Sequence, residues 1–179
     1  LNYPTELFEV ILVDDDSEEV FSPRFAVFSL QVIKNERKSN SPKKDAIETA
    51  IELAKNDWII TTDADCLVQK DWLNSFDQLI QEKDLKMIAS GVCYVPKNGF
   101  LQAFQTLDFL SLQGATIGSF GIHKPFMCNG ANFAYAKTFF KELNGFQGNE
   151  TIASGDDVFL LQKAIISAPK KVGFLYAKE

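Results

Sequence analysis

The stretch "DWIITTDADC", residues 57 to 66, decides how the rest of the chain is read. Trp58, Ile59 and Ile60 are bulky or β-branched, as in a strand covered on both faces in an α/β sheet, and the run stops abruptly at Asp63 and Asp65. Residues i and i+2 point the same way on extended backbone. Two carboxylates so placed can converge on one divalent ion, or on a ribose and a metal together. With 24 acidic residues in the chain a D-x-D carries little weight alone, and its position gives it meaning. A second apolar run, "FEVILVDDDSEEV" at 8 to 20, also ends in acids, Asp14, Asp15 and Asp16. In open α/β sheets ligands bind at the carboxyl ends of strands, and one βαβ-type unit would bring both acidic ends to the same edge. The competing reading of the second run is a polar turn into a helix, with Asp16 and Ser17 as caps and Glu18 and Glu19 in the first turn.

Composition narrows the classes. At 179 residues the chain fits one α/β domain with a sizeable core, and 46% hydrophobic against 23% charged residues excludes a disordered chain. The net charge of -6, with no basic patch denser than Lys43–Lys44 and Lys170–Lys171, argues against nucleic acid as a partner. Cys66, Cys93 and Cys128 are odd in number and widely spaced, so neither a disulfide framework nor a zinc knuckle is expected and a reducing compartment is the default. No apolar run reaches the roughly 18 residues needed to span a bilayer.

Outward from the two acidic strand ends, the pattern alternates. "FAVFSLQVI" (25–33) reads as a strand, followed by the polar loop "KNERKSNSPKK". Ile47, Ala50, Ile51 and Ala54 fall at helical spacing within residues 44–56, and Trp72, Leu73, Phe76, Leu79 and Ile80 repeat that spacing. "LKMIASGVCYV" reads as a further strand. This succession is that of a mostly parallel sheet with helices on its faces. Phe100, Leu101, Phe104, Leu107 and Leu110 predict a helix whose apolar stripe, running to Leu112, is core or interface rather than a membrane anchor. The glycine-rich stretch from Gly114 to Cys128 predicts an irregular, partly buried loop. "ANFAYA" reads as a short strand, "KTFFKELNGF" as a helix closed by Gly145, "DDVFLLQKAII" as a helix and "VGFLYA" as a last strand.

Two further motifs carry chemistry. In "SGDDVFLL", Asp156 and Asp157 open a helix, where carboxylates complement orphan N–H groups and the helix dipole; one of them free of that duty would take a proton from an incoming hydroxyl. In "CNGANFAY", Gly130 lets backbone pass close to a ligand, and Asn129 or Asn132 offers amide hydrogen bonds. His123, the single histidine, is assigned no role.

Taken in order over essentially the whole chain, "VDDDS", "SPKKDAIETAIELA", "TDADC", "NGANFAYAK" and "GDDVFLL" resemble the motifs of family 2 glycosyltransferases. The resemblance implies a GT-A fold: a Rossmann-like nucleotide-diphospho-sugar transferase with a mixed, mostly parallel sheet and flanking helices, here lacking its first strand. Residues 1–98 would be the nucleotide-sugar-binding half of a single domain and 99–179 the acceptor-side half. Asp14 and Asp15 would hold the base or ribose, with Lys43 and Asp63 also on the nucleotide. Asp63 and Asp65 would carry Mg2+ or Mn2+ on the diphosphate, and Asn129, Gly130 and Asn132 would lie on the acceptor side. Asp157 would be the general base with Asp156 beside it, and the anomeric carbon would be inverted. The implied donor is a UDP- or GDP-sugar, and the acceptor a saccharide or a lipid-linked sugar, as in polysaccharide biosynthesis. The setting would be cytoplasmic, at the membrane face if the parent is membrane-attached.

Departures from that family matter too. Its opening strand, with a P-x-x-N/R-E turn, would precede Leu1, a QxxRW-like segment is missing, and Asp16 and Lys43 stand where the family has glycine. Residues 1–179 alone are therefore expected to transfer sugar weakly or not at all. Two other classes fit part of the pattern: a catalytically dead sugar-nucleotide-binding domain, and a response-regulator receiver in which Asp63 accepts phosphate and Ser90 is the companion hydroxyl. A receiver leaves "GDDVFLL" without a purpose.

Overall fold

A computed structural model describes residues 1–17, 30–95, 98–149, 152 and 154–176. Phe25 to Ser29 of the expected second strand, the Glu18–Glu19 helix start and Ala177 of the last strand lie outside the described residues. The strands are β1 (Val10–Asp14), β2 (Leu30–Lys34), β3 (Trp58–Thr61), β4 (Met87–Ser90), β5 (Phe133–Ala136) and β6 (Val172–Leu175). The helices are α1 (Pro42–Leu53), α2 (Trp72–Glu82), α3 (Phe100–Gly121), α4 (Lys137–Glu142) and α5 (Asp156–Ser167).

Four strands form one sheet in the order β3-β5-β4-β6. β5 runs antiparallel to both β3 and β4, and β6 is parallel to β4, so three of the four strands share a direction and β5 opposes them. Strand geometry sends alternate side chains to opposite faces. Met87, Ala89, Phe133 and Tyr135 accordingly pack with Phe139 and Phe140 of α4 and Leu160 and Leu161 of α5, while Ile88 and Ala134 meet Phe76 of α2 on the other face. The result is three layers, helix on sheet on helix. Gly145, at φ +49°, donates its N–H to the Phe140 carbonyl and closes α4, as its sequence position implies.

β1 and β2 pair in parallel, from Val10 opposite Leu30 to Asp14 opposite Lys34, as a separate two-stranded sheet. β1 does not pair with β3. Between them lies a cavity of about 800 Å³ lined by apolar residues of β1, α1, β3 and α2, among them Ile11, Val13, Ala50, Ile60 and Phe76. The single βαβ unit expected from the sequence is thus two sheets across an apolar gap.

The expected loop beginning at Gly114 is helical instead. α3 runs for 22 residues through Gly114 and Gly118 to Gly121 because Gln113, Thr116, Ser119 and Phe120 recur on one buried face, and Phe120 meets Phe174 of β6 at a tilt with ring centroids 5.0 Å apart. Packing of that face outweighs a helix penalty of about 1 kcal/mol per glycine. The apolar stripe earlier in the helix is not core: Phe100 is 90% exposed, and Leu101, Phe104 and Leu107 are exposed with it. None of the described helices is long and apolar enough to cross a membrane.

Phe76 has no exposed surface and meets Trp72 edge-on at 6.0 Å. Phe76→Ala is expected to cost about 3–5 kcal/mol in equilibrium urea unfolding; a loss under about 1 kcal/mol would show that α2 is not part of the cooperative core.

Candidate active site

The site is built where β3 ends and β5 begins. Because the two are antiparallel, Thr61 lies opposite Phe133, and the turn ahead of β5 falls beside the acids that follow β3. The Thr61 hydroxyl donates to the carbonyls of Gly130 (2.6 Å) and Phe133 (3.2 Å). On its other side, the Gly130 N–H donates to Asp157 Oδ2 at 2.7 Å. The contact is close: a methyl at Gly130 would already touch Asp157 Cβ and Oδ2 at 3.4 Å. The second Asp157 oxygen accepts from the N–H of Val158 at 2.8 Å, so the first turn of α5 fixes the carboxylate's orientation. Gly155, at φ +77°, turns the chain into that helix in the left-handed region that glycine enters without penalty.

Asp156 is buried. Burial pushes its carboxyl above the usual carboxylate range, Lys43 pulls it back and Asp157 adds to the rise. Burial likewise pushes up the Cys128 thiol and the Tyr135 phenol, and the Tyr135 hydroxyl has no hydrogen-bond partner among the described residues.

The first turn of α1 sends its two lysines in different directions. Lys44 is buried and donates to the carbonyls of Asn149 and Ile152, both at 2.7 Å, with its ammonium 5.7 Å from the Phe159 ring centroid. It fastens the segment leading into α5. Lys43 reaches the rim, where its Nζ lies 3.3 Å from Asp63 Oδ1. Burial lowers its affinity for a proton, but Asp156, Asp63 and Asp157 together more than offset this and leave it raised.

At the end of β1, Asp14 closes a turn by accepting from the Ser17 hydroxyl (2.6 Å) and N–H (3.0 Å), which holds its carboxyl below the usual range. Asp16 adopts φ +72°, so the turn keeps the glycine conformation with an aspartate, a residue that tolerates it. Asp15 is held by the Arg37 guanidinium at 2.7 and 2.8 Å and by the Asn35 amide at 2.7 Å, bonds that lower its carboxyl. The same amide donates to the Pro42 carbonyl at 2.9 Å. Asp15 is therefore tied through Asn35 to the turn bearing Lys43, and through Lys43 to Asp63.

Asp14, Asp15, Asp63, Asp156, Asp157, Lys43 and Gly130 thus belong to one connected rim. Asp65 is exposed at the same loop, where its Oδ1 accepts from the adjacent Cys66 thiol at 4.0 Å. Asn129 accepts from the Ala131 N–H at 2.9 Å. Asn132 donates to the Gly91 carbonyl (2.7 Å) and accepts from the Trp72 indole (2.9 Å), so its amide ties the turn to α2 and to the exit of β4. Sequence reasoning missed Asn35, Arg37 and Thr61. The signal for the first two was "KNER" directly after a strand that pairs in parallel with β1, which puts those residues at the same rim as Asp15. Among the described residues, no group of three or more His, Cys, Asp or Glu side chains is arranged to hold a metal ion.

The family profile described as "Glycosyl transferase family 2" matches residues 1–144. The chain belongs to glycosyltransferase family 2. The receiver-like alternative falls with that match. Among solved structures, the chain is similar to S. aureus TarS 1-349, with TM-score 0.66 at 19% identity, covering 99% of this chain and 51% of that one. It is similar also to S. aureus TarS 1-349 in complex with UDP-GlcNAc, with TM-score 0.69 at 19% identity, covering 99% and 49%. At this identity the likeness shows the fold, which is GT-A-like, and the family 2 chain spans about half the length of those structures. A search of curated proteins finds no match.

The raised Asp156 carboxyl gives a signed expectation. The folded state binds that proton more tightly than the unfolded chain, so stability falls as pH rises from the unfolded value through the folded one. Asp156→Asn removes this limb, and the unfolding midpoint of the wild type should drop relative to the variant as pH rises over the range above the ordinary carboxylate value of 3.8. Parallel midpoints across that range would contradict the assignment.

Proposed function

We propose that this family 2 domain binds a nucleoside-diphosphate sugar at the rim joining β1, β3 and α5 and transfers the sugar, with inversion, to an acceptor hydroxyl. The observation that carries the reading is the pair of contacts Lys43–Asp63 and Gly130–Asp157, which gather carboxylates from β3 and α5 at one place. The TarS complex with UDP-GlcNAc, similar in fold, supports UDP as the nucleotide.

In this reading Asp15, oriented by Arg37 and Asn35, meets the base or ribose, and Lys43 reaches the diphosphate. Asp157 is assigned to the acceptor hydroxyl. Each of its oxygens accepts one backbone N–H and retains a lone pair, so the carboxylate is aimed and can still accept a hydrogen bond from a hydroxyl. As the acceptor oxygen attacks in line, its bond to the anomeric carbon forms and the bond from that carbon to the diphosphate breaks. The bonding pair leaves on the diphosphate, and the hydroxyl proton passes to Asp157. Within the acceptor-side half, residues 99–179, the turn at Asn129–Asn132 meets the acceptor, which is a saccharide or lipid-linked sugar.

Asp63 and Asp65 offer hard carboxylate oxygens of the kind that suit Mg2+ or Mn2+, and they would hold such an ion only with further oxygens from the diphosphate or water. When bound, the ion would offset charge developing on the leaving diphosphate. Placement at the cytoplasmic face of a membrane belongs to the same proposal.

Thermal unfolding with Mn2+ and UDP tests the donor site. At about a hundredfold excess over Kd, the pair should stabilise the chain by about 2.7 kcal/mol. Asp65→Ala should abolish this and Asp157→Asn should keep it, while lowering transfer by about 10²–10⁴-fold wherever transfer is measured. No stabilisation by Mn2+ with either UDP or GDP would overturn the reading.

A further inference from the structure

The rim holds a cation beside the carboxylate proposed to meet the metal. Lys43 projects from the first turn of α1 and donates to Asp63 Oδ1 at 3.3 Å, and Asp156 and Asp157 act on the same ammonium. One amine thus faces carboxylates from the end of β3 and the start of α5. The pair is half exposed, 51% for the lysine side chain and 47% for Asp63, so it is weakly held and readily exchanged. Lys44, one residue on, is the opposite case: buried, bonded to two carbonyls and fixed.

Asp63 and Asp65 cannot complete a metal site from protein groups alone, since no third ligand joins them among the described residues. A bare divalent ion would also arrive next to the Lys43 ammonium, charge against like charge. A diphosphate changes both terms: its oxygens fill the ion's coordination, and its charge gives the ammonium a new partner.

We propose that Lys43 is the resting counter-ion of Asp63, which bars a free divalent ion and yields that carboxylate only to an ion arriving together with a nucleoside diphosphate. The inference rests on the donor-site reading above. It makes metal and nucleotide binding mutually dependent, with Lys43 exchanging from Asp63 to the diphosphate.

The test is a Mn2+ titration followed by the electron paramagnetic resonance signal of the free ion, with and without UDP, on the wild type, Lys43→Ala and Lys43→Arg. The wild type should take up Mn2+ weakly alone and roughly tenfold or more tightly with UDP. Lys43→Ala should bind Mn2+ alone roughly five- to tenfold more tightly and lose most of the gain from UDP, while Lys43→Arg should behave as the wild type. Unchanged Mn2+ affinity in Lys43→Ala, with UDP still promoting uptake, would overturn the role of the lysine and leave the donor site standing. Absence of Mn2+ uptake in every protein, alone and with either UDP or GDP, would overturn both.

Discussion

The antiparallel course of β5 is the constraint on which the rest depends. Because β5 starts where β3 stops, one residue, Gly130, can receive the Thr61 hydroxyl on its carbonyl and give its N–H to Asp157. Two strands and a helix are thereby joined at one backbone position, and the general-base candidate is held by a peptide group whose place the sheet dictates. A parallel strand in the same slot would carry its entry turn to the opposite edge, away from Asp63.

The rim then has to manage its own charge. Aspartates from three elements crowd one edge, and the structure answers each differently. Asp14 is satisfied within its turn, Asp15 takes a guanidinium and an amide, Asp157 takes two backbone N–H groups and Asp63 takes a movable lysine. Asp156 is buried and its carboxyl is pushed toward the neutral form. Acids that look alike in the sequence are thus separated by environment, which is what a site needs if one carboxylate is to meet a cation and another a proton.

Much of this was legible beforehand. The apolar runs at Val10–Val13 and Trp58–Ile60, each ending in acids, identified strand ends, and "GDDVFLL" marked the start of a helix, because burial and helix capping leave strong local patterns. What could not be read was set by contacts distant in sequence. The gap between β1 and β3 depends on which strands pair, and α3 continues through Gly114 and Gly118 because residues far along the chain cover its buried face. Neither leaves a local trace. The opposite fates of Lys43 and Lys44, neighbours of the same type, follow from the 100° step between successive helix positions, and only the surroundings of α1 say which one faces the rim.

The central claim is that these acids form one site. Paramagnetic broadening of backbone amides by Mn2+ with UDP tests it most directly. α1 and α5 both begin at the rim and run about 16 Å away from it. The account predicts loss of amide signals at Asp63 to Cys66, at Gly130 and at Asn35 together, with those of Leu53 and Ser167 at the far helix ends largely kept. Broadening confined to one of these clusters, or spread equally to the far helix ends, would contradict it.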